Sequence, residues 1–156
     1  MRKEMETARK MLENLTPLKT DCGALCAAAC CRPDEDGQGG VALFPGEAAL
    51  YEGAHWAQVA DGVLTCGGRC PREMRPLGCR IFPLTPYRKK GGALALRVDR
   101  RAFAMCPLAP AGIRALDPNF VQAALSALEL IDKTREGREF IDAWIRAERI
   151  FREAVL

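Results

Sequence analysis

Four cysteines of this chain, Cys22, Cys26, Cys30 and Cys31, fall within ten residues, and Cys66, Cys70, Cys79 and Cys106 follow. Thiols grouped in this way serve disulfides, a metal shell or thiol redox chemistry. Cys22, Cys26 and Cys30 stand at i, i+4 and i+8, which on a helix stacks three sulfurs along one face. Cys31 would point about 100° away from Cys30, toward a second site, or toward the same one if the helix ends before Pro33. Cys66 and Cys70 flank a glycine-bearing loop that lets two thiolates turn toward one point. Cys79 comes after eight further residues, and Cys106 stands alone. Eight thiolates suit two four-coordinate sites, or one site with spare thiols. Zinc takes four thiolates at about 2.3 Å and iron–sulfur clusters also take four cysteines, so spacing does not choose between them. An isolated cysteine such as Cys106 also serves as a small buried hydrophobe. Three thiols repeating by one turn are a poor way to fill a core, and a vicinal Cys30–Cys31 disulfide would be strained.

The rest of the chain narrows the chemistry. With 156 residues, 49% of them hydrophobic, one domain over 1–156 can build a core without covalent staples. The N-terminal residues are charged with no apolar run behind them, and no stretch is long enough to cross a membrane. The expected location is cytoplasmic, where thiols stay reduced, so metal ligation is the simplest use of the cysteines. A disulfide-stapled interaction module would need an oxidising compartment. A net charge of +3 with mixed signs does not suggest a nucleic-acid partner. Neither a nucleophile elbow, a P-loop nor a dinucleotide fingerprint is present. Arg69, Arg72, Arg75 and Arg80 gather around the second cysteine group, where guanidinium groups would offset thiolate charge. Arg75 and Arg80 flank Cys79 and are expected to lower its pKa. Arg88, Lys89 and Lys90 read as a solvated loop, and the single histidine, His55, as a surface residue rather than a ligand. Asp34, Glu35 and Asp36 read as a solvated turn, with hard-metal ligation the alternative.

The elements that must position these residues differ along the chain. Residues 2–14 predict a helix with Met5, Ala8, Leu12 and Leu15 as its stripe, ended by Thr16-Pro17. Asp21 is a candidate N-cap for a helix over the alanine-rich Cys22–Cys31 stretch. Val41 to Phe44 predicts an extended piece, and Pro45-Gly46-Glu47 opens a short helix to about Tyr51. Asp61 to Pro86 predicts turns and short strands. Lys90-Gly91-Gly92 reads as a turn before a strand over Ala93–Val98. Asp117-Pro118 starts a helix bearing Phe120, Ala124, Leu128 and Ile131. A second helix, about Arg135 to Glu153, carries Phe140, Ile141, Trp144, Ile145 and Phe151, with Glu148 and Arg152 paired at i, i+4. The two are expected to form an antiparallel hairpin over 117–155.

Cys70-Pro71-Arg72-Glu73-Met74-Arg75-Pro76-Leu77-Gly78-Cys79-Arg80-Ile81-Phe82-Pro83, together with an N-terminal group ending in Cys30-Cys31-Arg32, resembles the YkgJ-like cysteine-cluster family, a zinc- or iron-chelating domain. The resemblance covers about residues 20–107. Its most specific part runs through Arg75, Pro76, Cys79, Arg80, Phe82 and Pro83. Typical members carry C-x2-C-x2-CC, whereas this chain has C-x3-C-x3-CC. Some relatives are associated with flagellin lysine methylation, but no methyl-donor site is recognisable here. Cys70-Pro71 and Cys106-Pro107 also resemble ferredoxin ligand loops locally.

The expected fold is α+β and α-rich, with an irregular cysteine region over 20–107 and the C-terminal hairpin. The expected function is metal binding, with zinc or an iron–sulfur cluster held by the eight cysteines and Arg75 and Arg80 beside them. The alternative is an iron–sulfur-dependent redox or group-transfer enzyme acting on another protein, although no catalytic signature exists beyond the cysteines. No membrane partner is expected, and the C-terminal helices offer a face for a homodimer.

Overall fold

The computed structural model describes residues 2–32, 40–67 and 70–154. The acidic turn Asp34–Asp36, Pro33 and Arg69 lie outside the described residues. Among those described, the chain forms helices α1 (Arg2–Met11), α2 (Gly23–Cys26), α3 (Leu77–Ile81), α4 (Pro118–Asp132) and α5 (Arg135–Ala154). The strands are β1 (Val41–Ala42), β2 (Ala57–Ala60), β3 (Val63–Cys66), β4 (Leu84–Arg88) and β5 (Leu94–Val98), with several 3-10 turns between. The architecture is α+β and α-rich and includes the C-terminal helical hairpin. Among the described residues, no helix is long and apolar enough to cross a membrane.

The main core follows from three apolar stripes. Met5, Ala8 and Leu12 lie on one face of α1 and its exit and are buried against α4. α4 contributes Phe120, Ala124, Ala127, Leu128 and Ile131, all fully buried, at the helical spacing expected of a core-facing stripe. Asp117 caps α4 by accepting a hydrogen bond from Asn119 N at 2.8 Å, with proline at the first helical position. α5 buries Ile141 and lays Phe140 and Trp144 against Phe44, at ring-centroid distances of 4.4 and 6.0 Å. Phe151, expected on this apolar face, is exposed instead. The buried face of α5 ends on Glu148, whose carboxylate pairs with Arg97 of β5.

β4 and β5 form an antiparallel hairpin in register Leu84↔Val98 through Arg88↔Leu94, closed at Lys89–Ala93. Arg88 is no solvated loop residue: it bonds Asp132 at 2.7 Å and Asp142 at 2.8 Å, clamping the hairpin to both C-terminal helices. The second sheet has the order β1-β3-β2, all antiparallel. β2 and β3 are joined by Asp61-Gly62 with φ of 49° and 74°, the two left-handed residues that a tight hairpin turn demands. This sheet carries its own small cluster of Leu43, Tyr51 and Leu64, with Trp56, Cys66 and Met74 packed beside it. Trp56 meets Tyr51 edge-on at 6.0 Å.

One buried carboxylate joins the two regions. Glu47 is fully buried, and its two oxygens accept from Phe44 N at 3.1 Å and Leu77 N at 2.8 Å. It thereby satisfies an N–H at the start of α3, a helix of five residues that cannot satisfy its own. α3 also presses on β1: a Cβ on Gly78 would lie 2.6 Å from Val41 Cγ2. Cys79 is held between these anchors.

Candidate metal centre

The helix expected across Cys22–Cys31 does not form. α2 stops at Cys26, Ala27 and Ala28 both take left-handed conformations (φ 49° and 55°), and Ala29–Cys31 is a 3-10 turn. Ala28 N donates back to Gly23 O at 2.9 Å and Cys31 N to Ala28 O at 2.8 Å. Alanine favours helix locally, but the local preference is overridden here. The consequence is that three sulfurs do not share one helical face. Instead the chain folds back, and Cys30 and Cys31 lie side by side with a thiol–thiol hydrogen bond.

The other four cysteines arrive from three places. Cys66 ends β3, and Cys70 follows it by four residues. Cys79 sits in α3, at the centre of the Arg-Pro-x-x-Cys-Arg string. Cys106 leaves the 3-10 segment Arg100–Ala104, its N–H donating to Ala102 O at 2.7 Å. All eight cysteines line one of two adjoining cavities. A cavity of about 390 Å³ takes Cys22, Cys26 and Cys106 together with Cys30, Cys31 and Cys79. A pocket of about 60 Å³ takes Cys66 and Cys70 together with the same Cys30, Cys31 and Cys79. Cys30 is exposed and the rest are partly buried. His55 is exposed and lines neither cavity.

The two arginines expected beside Cys79 divide the work. Arg75 lines both cavities, hydrogen-bonds Cys70, and lies within electrostatic reach of Cys31 and Cys79. Its Nε is buried and has no hydrogen-bond partner. Arg80 lines the larger cavity, but its guanidinium is directed to backbone oxygens. It donates to Arg75 O at 2.8 Å, Glu73 O at 2.9 Å, Arg72 O at 3.1 Å and Arg9 O at 3.3 Å. Arg9 of α1 reinforces the same segment through Glu73 O at 2.8 Å. Arg80 and Arg9 therefore shape the loop that presents Cys79, and the sequence spacing alone did not separate that role from charge compensation.

Cys79 is not activated as expected. Burial, and then the thiolates of Cys31, Cys70 and Cys66, push its thiol up to about 12 despite Arg75. Cys70 is raised by burial, with Arg75 pulling the other way. Cys22 is raised by burial and by the Asp21 carboxylate beside it. Cys30 and Cys31 share a proton through their hydrogen bond, so the pair loses its first proton more readily and its second less readily than a free thiol. Sulfurs gathered this closely cannot all ionise without a compensating cation.

The two cavities gather eight sulfurs and the Arg75 guanidinium, with Glu13 and Asp21 also on the wall of the larger one. Among the described residues, no group of three or more His, Cys, Asp or Glu side chains is placed to hold a metal ion. No family model, curated protein or solved structure matches this chain.

Proposed function

We propose that this chain is a metal-binding protein of the YkgJ-like cysteine-cluster type, holding zinc or an iron–sulfur cluster through its cysteine thiolates. The observation that carries this reading is the convergence of all eight cysteines, from residues 22 to 106, on two adjoining cavities. When bound, the metal supplies the positive charge that the clustered thiolates need. Cys22, Cys26, Cys30, Cys31, Cys66, Cys70, Cys79 and Cys106 are the ligands, and Arg75 offsets charge left over in the shell. The reading requires a reducing compartment, which the cytoplasm provides. Exposed Ile150 and Phe151 near the end of α5 are where a second copy would pair, which sedimentation of the I150E variant tests.

A second reading is an iron–sulfur-dependent redox or group-transfer enzyme acting on a protein. The larger cavity favours it, because about 390 Å³ far exceeds what one ion in a closed thiolate shell occupies. Its walls include Leu12, Leu25, Phe82 and Met105, which suit an apolar segment more than a free ion.

Elemental analysis and an absorption spectrum of untagged protein, purified without oxygen, separate the readings. One or two zinc per chain in a colourless sample supports chelation. Iron, acid-labile sulfide and absorption near about 400 nm support the enzyme. Protein that carries neither metal, and binds neither when it is supplied with reductant, overturns both.

A further inference from the structure

We propose that the larger cavity and the 3-10 turns beside it dock a segment of another protein, one that carries bulky apolar side chains between acidic residues. This rests on the second reading above, in which that cavity receives a protein, and goes further by naming the chemistry of the segment.

The turns that follow β5 reverse the usual order of burial. In Arg100–Ala104 the small side chain of Ala102 is fully buried, whereas Phe103 is 51% exposed and Met105, just beyond, is 39% exposed. Ala109 is likewise buried in the next turn, Ala109–Ala111. Small residues hold these turns against the body of the protein, and the large apolar ones face outward, where size and hydrophobicity would ordinarily place them inside. Met105 also lines the cavity of about 390 Å³, and so does Leu25 of α2, which is 58% exposed. Three exposed apolar side chains thus stand on or beside its wall, and Leu12, Phe82 and Leu108 continue the apolar lining. Exposed apolar surface leading into a recess of this size is where a soluble protein takes a ligand or a partner.

Charge selects the partner. From Arg100 to Leu116 the chain holds three arginines, Arg100, Arg101 and Arg114, and no acidic residue. The carboxylate just before them, Asp99, is buried and committed to the backbone N–H and the guanidinium of Arg101, at 2.8 and 2.6 Å. Arg100 and Arg114 are exposed. The Arg100 guanidinium lies over the Phe103 ring, 6.0 Å from its centroid, so positive charge and apolar surface are presented together. Within the cavity, Glu13 and Asp21 share the wall with Arg72 and Arg75. Charge there is balanced, which leaves the recess to the apolar centre of the segment and the acidic flanks to Arg100 and Arg114. A second copy pairing through this same face would set arginine against arginine. A recess also suits projecting side chains better than the flat surface of a bilayer.

Fluorescence anisotropy of labelled synthetic peptides, added to the full-length protein purified under reductant, tests this. A peptide with a Leu-Phe-Leu centre between acidic flanks is expected to bind. Its counterpart with lysine flanks is expected to bind about tenfold more weakly, because like charges then face each other. Acidic flanks around a serine centre are expected not to bind. Arg100→Glu combined with Arg114→Glu, both at exposed positions, should reverse the preference between the two apolar-centred peptides. Leu25→Glu, also at an exposed position, should remove most of the binding, and circular dichroism confirms that each variant is folded. No binding of the acidic-flanked peptide, equal binding of both apolar-centred peptides, or a double variant that keeps the wild-type preference overturns the proposal. Cosedimentation with phosphatidylserine vesicles in place of peptide binding overturns it too, and assigns the surface to a membrane. Metal content measured on the same sample judges the metal-binding reading separately: bound metal without peptide binding leaves that reading standing and removes the docking site.

Discussion

Two arginines five residues apart look alike in the sequence and do opposite things. Arg80 spends its guanidinium on four backbone oxygens, whereas Arg75 faces sulfur. Arg80→Ala should therefore cost on the order of 3 kcal/mol in urea unfolding of the metal-free protein, because buried carbonyls lose a charged donor. Arg75→Ala should change that stability by less than about 1 kcal/mol and weaken metal binding in a competition titration. Equal losses of stability in the two variants would contradict this assignment. The thiols predict a pH dependence as well. Cys79 has a folded pKa near 12, above the roughly 8.5 of an unfolded thiol. Its contribution to stability is complete below about pH 8.5 and is lost as pH rises toward 12. The urea midpoint of metal-free protein should fall from about pH 9 to about pH 11, and Cys79→Ala should flatten that fall. Cys22 and Cys70, raised in the same direction, keep part of the slope.

At the scale of elements, the break after α2 is the departure with most consequence. A left-handed alanine costs about 1–2 kcal/mol, while glycine there costs about 0.5–1 kcal/mol of extra chain entropy. Ala28→Gly should thus stabilise the protein by about 0.5 kcal/mol or more, read as a rise in thermal midpoint. If Cys22–Cys31 were a continuous helix, the same change would destabilise it by about 1 kcal/mol. Nothing in the alanine-rich string announces the break, which falls at the left-handed Ala27 and Ala28. By contrast α1, α4, α5 and the β4–β5 turn follow from periodicity, a cap and a Gly-Gly pair, which are local signals. Asp61-Gly62 was an equally local signal for the β2–β3 hairpin that positions Cys66. α3 escaped notice because five residues with a glycine show no periodicity. Glu47 escaped because a lone glutamate after Pro-Gly reads as a helix start, and its two backbone partners lie 3 and 30 residues away.

Across the whole molecule, the main hydrophobic core contains no cysteine among the described residues: α1, α4, α5 and the β4–β5 hairpin close on leucine, isoleucine, alanine, phenylalanine and Met5. The irregular cysteine region rests on that core through Leu77 and Ile81 of α3, both fully buried. Metal removal should therefore not unfold the chain as it does a domain without an independent core. Hydrogen exchange of chelated protein should retain protection in α4 and α5 and lose it across β2, β3 and the 70–76 segment. Simultaneous loss of protection everywhere would mean that the core depends on the metal.

The two packing clusters hold one tryptophan each. Trp144 lies against Phe44 in the main core, and Trp56 lies in the small cluster beside Cys66. The protein thus carries a built-in pair of optical reporters. Cobalt bound among the cysteines beside Trp56 would quench that fluorescence, so two single-tryptophan forms, one keeping Trp56 and one Trp144, would report on the cysteine region and on the main core separately.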